Sequence, residues 1–574
     1  MKHPHTVLAL KYGGHDCAAA IMRSGELIAA CEQERYTLDK HSRQFPIDAI
    51  QDCLRIAGLT EINQVDQLAF VNDLKYYVRK LYLEPAIVDD FRLEFMLGDL
   101  DRIKGALRME DFVRERTSYT GPIHFYRHHL CHLASTYFPS GFSDALLASY
   151  DGLGEFESGM LGIGHDGQIS VVHDATGNPH SLGLLYSAIT HFLGWKHHCD
   201  EGIVMGLAPY GDATASIPGD SRTYYDVFAE ILQATGDYDY VIDQGWMSYY
   251  RQRDTWVSER FVETFGPKRQ PGGELTQHHK NIASALQRRL EDLVIAQLKR
   301  ARRQFGLARL ALSGGVALNC SMNGRIAASG IFDEVFVQPA AGDAGTTIGA
   351  CYLASRAHNG GLQPRRLENF YTGSRFSDEE IASVVEQSGL PFIRLKPGYP
   401  EVVRQLVEGK VIAWFQGAAE FGPRALGNRS ILARPYPEEM KDHINNRVKF
   451  REYFRPFAPA VLAEDANAYF DIKQASPHML IAAAVRPEKR EVIPAVVHVD
   501  GSARVQTVSE HLNPRLCALL RGFKQATGVP VLLNTSFNVK GQPIVNSPEQ
   551  AIACFKSTRI DCLVLGDWFV EKMA

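Results

Sequence analysis

The His-His-Leu-Cys-His run at residues 128–132 carries imidazoles at a spacing that can do metal chemistry. In a helix over 128–138, His128 and His132 lie one turn apart on one face, and His129 points elsewhere. Two such rings can take adjacent positions of one metal ion. Asp151 follows the apolar run 145–150 and precedes Gly152 and Gly154, which places it at a strand end. A carboxylate there completes a two-histidine, one-carboxylate site with positions open for substrate. The same spacing also suits one packed ring and one solvated ring, so spacing alone leaves both readings open.

A second group of residues suits polyphosphate. Arg424, Arg429, Lys449, Arg451 and Arg455 fall in one segment, interleaved with glycine, proline and apolar residues. Guanidinium forks held by rigid turns pair bidentately with phosphate oxygens. The alternative, a solvated charged helix over 438–449, accounts for Lys441 and Arg447 but not for arginines in glycine and proline turns. Two strand–turn–helix steps can also hold a base or phosphate: 313–319, with Gly314, Gly315 and Asn319, and 342–345. Glycine pairs serve ordinary turns as well, so neither step decides the matter alone.

The elements that must position these residues read as an α/β chain of more than one domain, as 574 residues require. Strands are expected at 7–10, 17–22 and 27–31, with a turn at 11–16 and a hairpin turn at Ser24-Gly25. A helix follows, with Ile47, Ile50, Leu54 and Ala57 on one face, and then a strand at 65–71. The opening then recurs: apolar 145–150, glycine-rich 151–154, apolar 159–163, a turn at Asp166-Gly167 and a return at 169–172. Unrelated hairpins would give the same string, but a repeat predicts two halves presenting glycine turns to one cleft, where backbone N–H groups bind phosphate. Residues 74–118 read as a charged helical insertion, 196–211 as a loop edging a cleft, and 277–305 as a long amphipathic helix. The boundary falls at 359–364, dividing a domain at 1–358 from one at 367–574. The second alternates strands (411–415, 458–462, 480–484, 529–533) with helices started by capping boxes at Ser377 and Ser547.

Composition narrows the class: 45% hydrophobic, 22% charged and a net charge of -5. No nucleic-acid partner is implied by that balance. No apolar run reaches membrane-spanning length and residues 1–4 lack a signal-peptide core. Ten scattered cysteines without C-x-x-C point to a reduced, cytoplasmic protein with neither zinc ribbon nor disulfide framework.

The motifs together resemble the O-carbamoyltransferases of antibiotic and nodulation-factor biosynthesis. The resemblance is carried by Gly-His-Asp-Cys-Ala-Ala-Ala (14–20), Glu-Gln-Glu-Arg (32–35), the histidine run at 128–132 and Asp-Gly-Leu-Gly-Glu (151–155). Met-Gly-Leu-Ala-Pro-Tyr-Gly (205–211), Ser-Gly-Gly-Val-Ala-Leu-Asn (313–319), Gly-Asp-Ala-Gly (342–345) and the run 421–433 continue it. Residues 454–459, 498–506 and 533–538 complete it. It spans nearly the whole chain and is weakest at 74–118. It implies an N-terminal duplicated actin-like ATPase domain, similar to threonylcarbamoyl transferases, and a C-terminal YrdC-like α/β domain. The C-terminal domain would make carbamoyl-adenylate from carbamoyl phosphate and ATP with Mg2+. The N-terminal domain would pass the carbamoyl group to a hydroxyl of a small natural-product acceptor, at Fe2+ or another divalent metal. By the same resemblance His128, His132, Asp151 and Asp343 are the ligands and His15, with Asp16, is the acid–base residue that takes the acceptor proton near neutral pH. Arg424, Lys449, Arg455, Ser536 and Asn538, with Arg504, hold ATP and carbamoyl phosphate.

Two other classes compete. The glycine turns alone permit a small-molecule kinase on an actin-like fold, which leaves the second domain unexplained. The basic segment at 424–455 permits carbamoyl or threonylcarbamoyl transfer to a macromolecule. A homodimer is compatible with all three.

Overall fold

The computed structural model describes residues 5–173 and 176–572. The N-terminal segment read above for a signal core, residues 1–4, lies outside them. The first sheet contains β1 (Thr6–Lys11), β2 (Ala18–Arg23), β3 (Glu26–Glu32), β4 (Gln67–Val71) and β5 (Ile123–Tyr126), in the order β3-β2-β1-β4-β5. The second contains β6 (Asp144–Tyr150), β7 (Gly159–His165) and β8 (Gln168–His173). A hairpin of β9 (Leu232–Thr235) and β10 (Asp239–Ile242) stands apart, and β11 (Arg309–Ser313) and β12 (Glu334–Val337) complete the second sheet in the order β8-β7-β6-β11-β12. The two orders are the same, and so are the strand directions: two antiparallel pairings followed by two parallel ones. The repeat seen in the sequence is therefore a duplicated sheet, as the resemblance implies. Its tight hairpins have the left-handed backbone that such two-residue turns need, at Ser24-Gly25 and at Asp166-Gly167.

A helix follows the last strand of each sheet: His128–Ser140 after β5, and Thr346–Asn359 after β12. The two pack against each other in an apolar layer with Cys131, Leu133, Phe138, Ile348 and Cys351. Gly349 permits the contact, because a Cβ there would stand 1.8 Å from the Cys131 carbonyl oxygen. Strand ends and helix starts of both halves thus converge on one point. The insertion between β4 and β5 is helical from Leu74 to Thr117, as its sequence predicts. The 196–211 stretch differs from its expected loop: it holds a helix, Glu201–Leu207, and a 3-10 turn, Ala208–Tyr210. Ile203, Val204 and Leu207 bury one face, and Pro456 of the second half lies against Gly206.

After residue 360 the chain runs without regular structure across the first half, with Arg365 and Leu367 N–H groups bonded to the Phe138 and Pro139 carbonyls. The remaining sheet is mixed and eight-stranded. Its central strands are Ile412–Phe415, Arg429–Ala433, Val531–Ser536 and Ala458–Leu462. Its core is drawn from residues 381–570. Both expected capping boxes form, at Ser377 with Glu380 and at Ser547 with Gln550.

Candidate metal and anion centres

His128 opens the helix after β5 and His132 follows one turn later, while Asp151 sits at the end of β6 and Asp343 just before the paired helix. Their four ligand atoms lie within 4.8 Å of one another, and all four residues are buried. Nε2 of His128 and Nε2 of His132 stand 3.1 and 3.0 Å from the same Asp151 oxygen, Oδ2. Asp343 Oδ1 is 3.5 Å from His128 Nε2. His129 faces away, bonded to Ser149 Oγ and the Glu157 carbonyl. Two imidazoles and two carboxylates suit a divalent metal that takes nitrogen and oxygen donors. Burial disfavours a charge on His128, but Asp343 and Asp151 outweigh it and raise its pKa; at His132 burial prevails and the pKa falls.

The glycine turns around this cluster do different work from that expected of them. Gly152 and Gly315 N–H groups both donate to Asp151 Oδ1, at 2.8 and 3.0 Å, and so fix a metal-side carboxylate. Gly154 gives room to the histidines: a Cβ there would stand 2.9 Å from His129 and 3.1 Å from His128. Gly314 takes φ +87 beside the Tyr150 backbone. Asn319 is used within the fold: its side chain caps the following helix at Met322 N–H and bonds Gln287.

His15 and Asp16 occupy the turn after β1. Asp16 Oδ2 lies 2.9 Å from His15 Nδ1, and Oδ1 lies 2.6 Å from His41 Nδ1, a partner the sequence reading did not name. Burial works against charge on His15, but Asp16 and Asp343 lift its pKa to about 9. That direction favours the protonated His15 ring at neutral pH, whereas the expected base role needs the neutral ring. Lys11, read as a turn residue, instead ends β1 with its Nζ buried 3.2 Å from Asp343 Oδ2. A lysine beside two glycines looks like a turn; only pairing with the downstream aspartate shows its place.

The arginine segment forms a second centre, in the C-terminal half. Lys449 is 4% exposed. Its Nζ lies 3.2 Å from Ser536 Oγ and 2.6 Å from Asn538 Oδ1. A wide turn, Asn445–Lys449, replaces the end of the expected solvated helix and carries the ammonium inward. Arg424 is half-buried, and burial and then Arg504 pull its pKa down to about 9. Among the described residues neither Arg424 nor Arg504 forms an ion pair, and each has a buried Nε with no partner. Arg455 stands near Arg504 and reaches Glu452 only at 3.8 Å. Arg429 departs from the expected phosphate role: fully buried, it stacks on Phe415 and donates to backbone carbonyls of residues 416, 417 and 374. The segment 198–206 borders both the His15 turn and the arginine centre: the His198 ring stands 6.1 Å from the His15 ring, and Pro456, next to Arg455, lies against Gly206.

Nodulation protein NolNO of Sinorhizobium fredii is 38% identical over 97% of this chain and 79% of its own. The 3'-hydroxymethylcephem-O-carbamoyltransferase of Streptomyces clavuligerus is 35% identical over 65% of each chain. Among solved structures, HypF from T. kodakarensis overlaps 63% of this chain and 49% of its own at 14% identity, with a TM-score of 0.32. Family models described as Carbamoyltransferase N-terminus and Carbamoyltransferase C-terminus match residues 6–352 and 403–572, so this chain, an enzyme that transfers carbamoyl groups, belongs to the carbamoyltransferase family.

Proposed function

We propose that the protein is an ATP-dependent O-carbamoyltransferase in which the second half, YrdC-like in this reading, makes carbamoyl-adenylate and the first half transfers its carbamoyl group to a hydroxyl of a small acceptor. In the first step carbamoyl phosphate and water give carbamate and phosphate, and carbamate attacks the α-phosphate of ATP with loss of pyrophosphate. In the second, an R–OH oxygen bonds the carbamoyl carbon, AMP leaves, and the hydroxyl proton passes to a base. The observation that carries the reading is the cation cluster at the contact of the two halves: Arg424 and Arg504, which form no ion pair among the described residues, suit a polyanion with Arg455, and the segment 198–206 lies between them and the His15 ring.

Lys449, Ser536 and Asn538 hold the phosphoryl end, and the arginines neutralise its charge. His128, His132, Asp151 and Asp343 would hold a divalent metal that takes nitrogen and oxygen donors, Fe2+ in this reading, and it would polarise the carbamoyl carbonyl. His15 lies above Asp16 and accepts the acceptor proton once its own has been lost. A labile acyl-adenylate needs a route that excludes water. The test is incubation with carbamoyl phosphate and ATP without acceptor. Pyrophosphate is expected; ADP in its place would favour a kinase and overturn the proposal.

A further inference from the structure

We infer that Asn72 is a positioning residue for His128, and that with Glu155 it ties this histidine to the foot of the helical insertion. The inference rests on the metal-binding reading of the His128 cluster. Asn72 stands directly after β4 with φ +92, a left-handed backbone uncommon for a residue with a side chain. Its N–H donates to the Tyr126 carbonyl at 2.9 Å, continuing the β4–β5 ladder, so the backbone is pinned in that strained form. From there its Oδ1 lies 3.1 Å from His128 Nδ1. A carbonyl oxygen only accepts, so Nδ1 carries the hydrogen, and Nε2, which faces Asp151 and Asp343, is left as the nitrogen that would bind a metal.

The next residue acts on the same histidine through its main chain. Asp73 N–H donates to Glu155 Oε1 at 2.7 Å, and the same carboxylate accepts His128 N–H at 2.9 and 3.1 Å. Glu155 is 1% exposed, and its carboxylate meets the first N–H of a thirteen-residue helix, where an acceptor is favoured. The ring of His128 is therefore held by Asn72 and its backbone N–H by Glu155, whose carboxylate also accepts from Asp73 N–H. A strained backbone that delivers one acceptor to one ring nitrogen is the arrangement expected of a group that orients a metal ligand.

Asn72→Gly and Asn72→Asp separate the side chain from the backbone. Glycine adopts φ +92 freely and removes only the acceptor; aspartate keeps an accepting oxygen. Co2+ dissociation constants measured by chelator competition, with the visible absorption of the Co2+ protein, provide the readout. Asn72→Gly is expected to weaken Co2+ binding by about 10–100-fold and change the absorption band, at unchanged melting temperature, while Asn72→Asp stays near wild type. Wild-type affinity in Asn72→Gly overturns the inference, as does equal loss in both variants or loss that only follows a lowered melting temperature. Wild-type protein that binds no Co2+ overturns the metal reading instead.

Discussion

At the scale of single residues, the buried cluster brings together side chains distant in sequence, and its donors can be removed one at a time. His128→Ala/His132→Ala removes both nitrogen donors, so elemental analysis should find the metal lost from a protein that is expected to carry about one ion per chain. Undiminished metal would place it elsewhere. His15 is tested by pH. Its pKa of about 9 lies above the ordinary imidazole value of 6.5, so the neutral ring that accepts a proton appears only as pH rises through about 9. Transfer by the wild type should climb over that range, whereas His15→Asn should lack the climb and lose roughly 10²–10⁴-fold in rate, with pyrophosphate formation unchanged. A wild-type profile flat from pH 7 to 10 would remove His15 from proton transfer. His128 and His132 were legible in the sequence because their spacing matches a helical turn. Lys11, His41 and Asn72 were not, since each acts on a residue brought near only by the fold, and no local spacing encodes that contact.

At the scale of elements, the duplicated sheet explains why the cluster exists where it does. The His128–Ser140 helix carries the two histidines, Asp343 immediately precedes the Thr346–Asn359 helix, and the helices touch at Cys131 and Gly349. Gly349→Ala places a Cβ on a backbone carbonyl, which cannot swing away, so the helices must separate. The expected cost is about 1–3 kcal/mol in urea unfolding, accompanied by weaker metal binding because the ligands part with the helices. Gly105→Ala, in the exposed insertion with nothing within 4 Å of the added carbon, is the control and should be neutral or slightly stabilising. Equal effects of the two substitutions would mean that the helix contact does not set the ligand spacing. The repeat of strand, glycine turn and hairpin was readable in the sequence because its pattern is local. The helix at Glu201–Leu207 was misread, because its glycines look like turn residues until Pro456 from the other half is seen against one of them.

At the scale of the whole molecule, the question is whether two centres in two halves act as one enzyme. Arg424 belongs to the second half, yet its Nη2 approaches the Leu318 carbonyl of the first at 3.5 Å. Arg504, which shares its surroundings, lies in a short strand paired with Ala482–Ala484, whose backbone packs on Gly324 of the first half. The cation cluster thus sits at the contact rather than deep in its own sheet. In the proposed reaction an adenylate formed there would cross to the first half at this contact, where exclusion of water preserves it. If the arginines hold ATP as proposed, Arg424→Ala removes a fixed cation from the phosphate, a change that typically costs about 2–5 kcal/mol, or roughly 30-fold to several thousand-fold in pyrophosphate release. Synthetic carbamoyl-adenylate should restore transfer in that variant, because the metal side is untouched. His128→Ala should behave inversely, releasing pyrophosphate but not carbamoylating the acceptor. Mixing the two variants then asks where the intermediate goes. If it passes within one molecule, the mixture regains only a small fraction of wild-type transfer, since an adenylate released from one chain meets water before it meets another. Transfer by the mixture at half the wild-type rate would show free diffusion between chains and would deny the contact any part in conveying the intermediate.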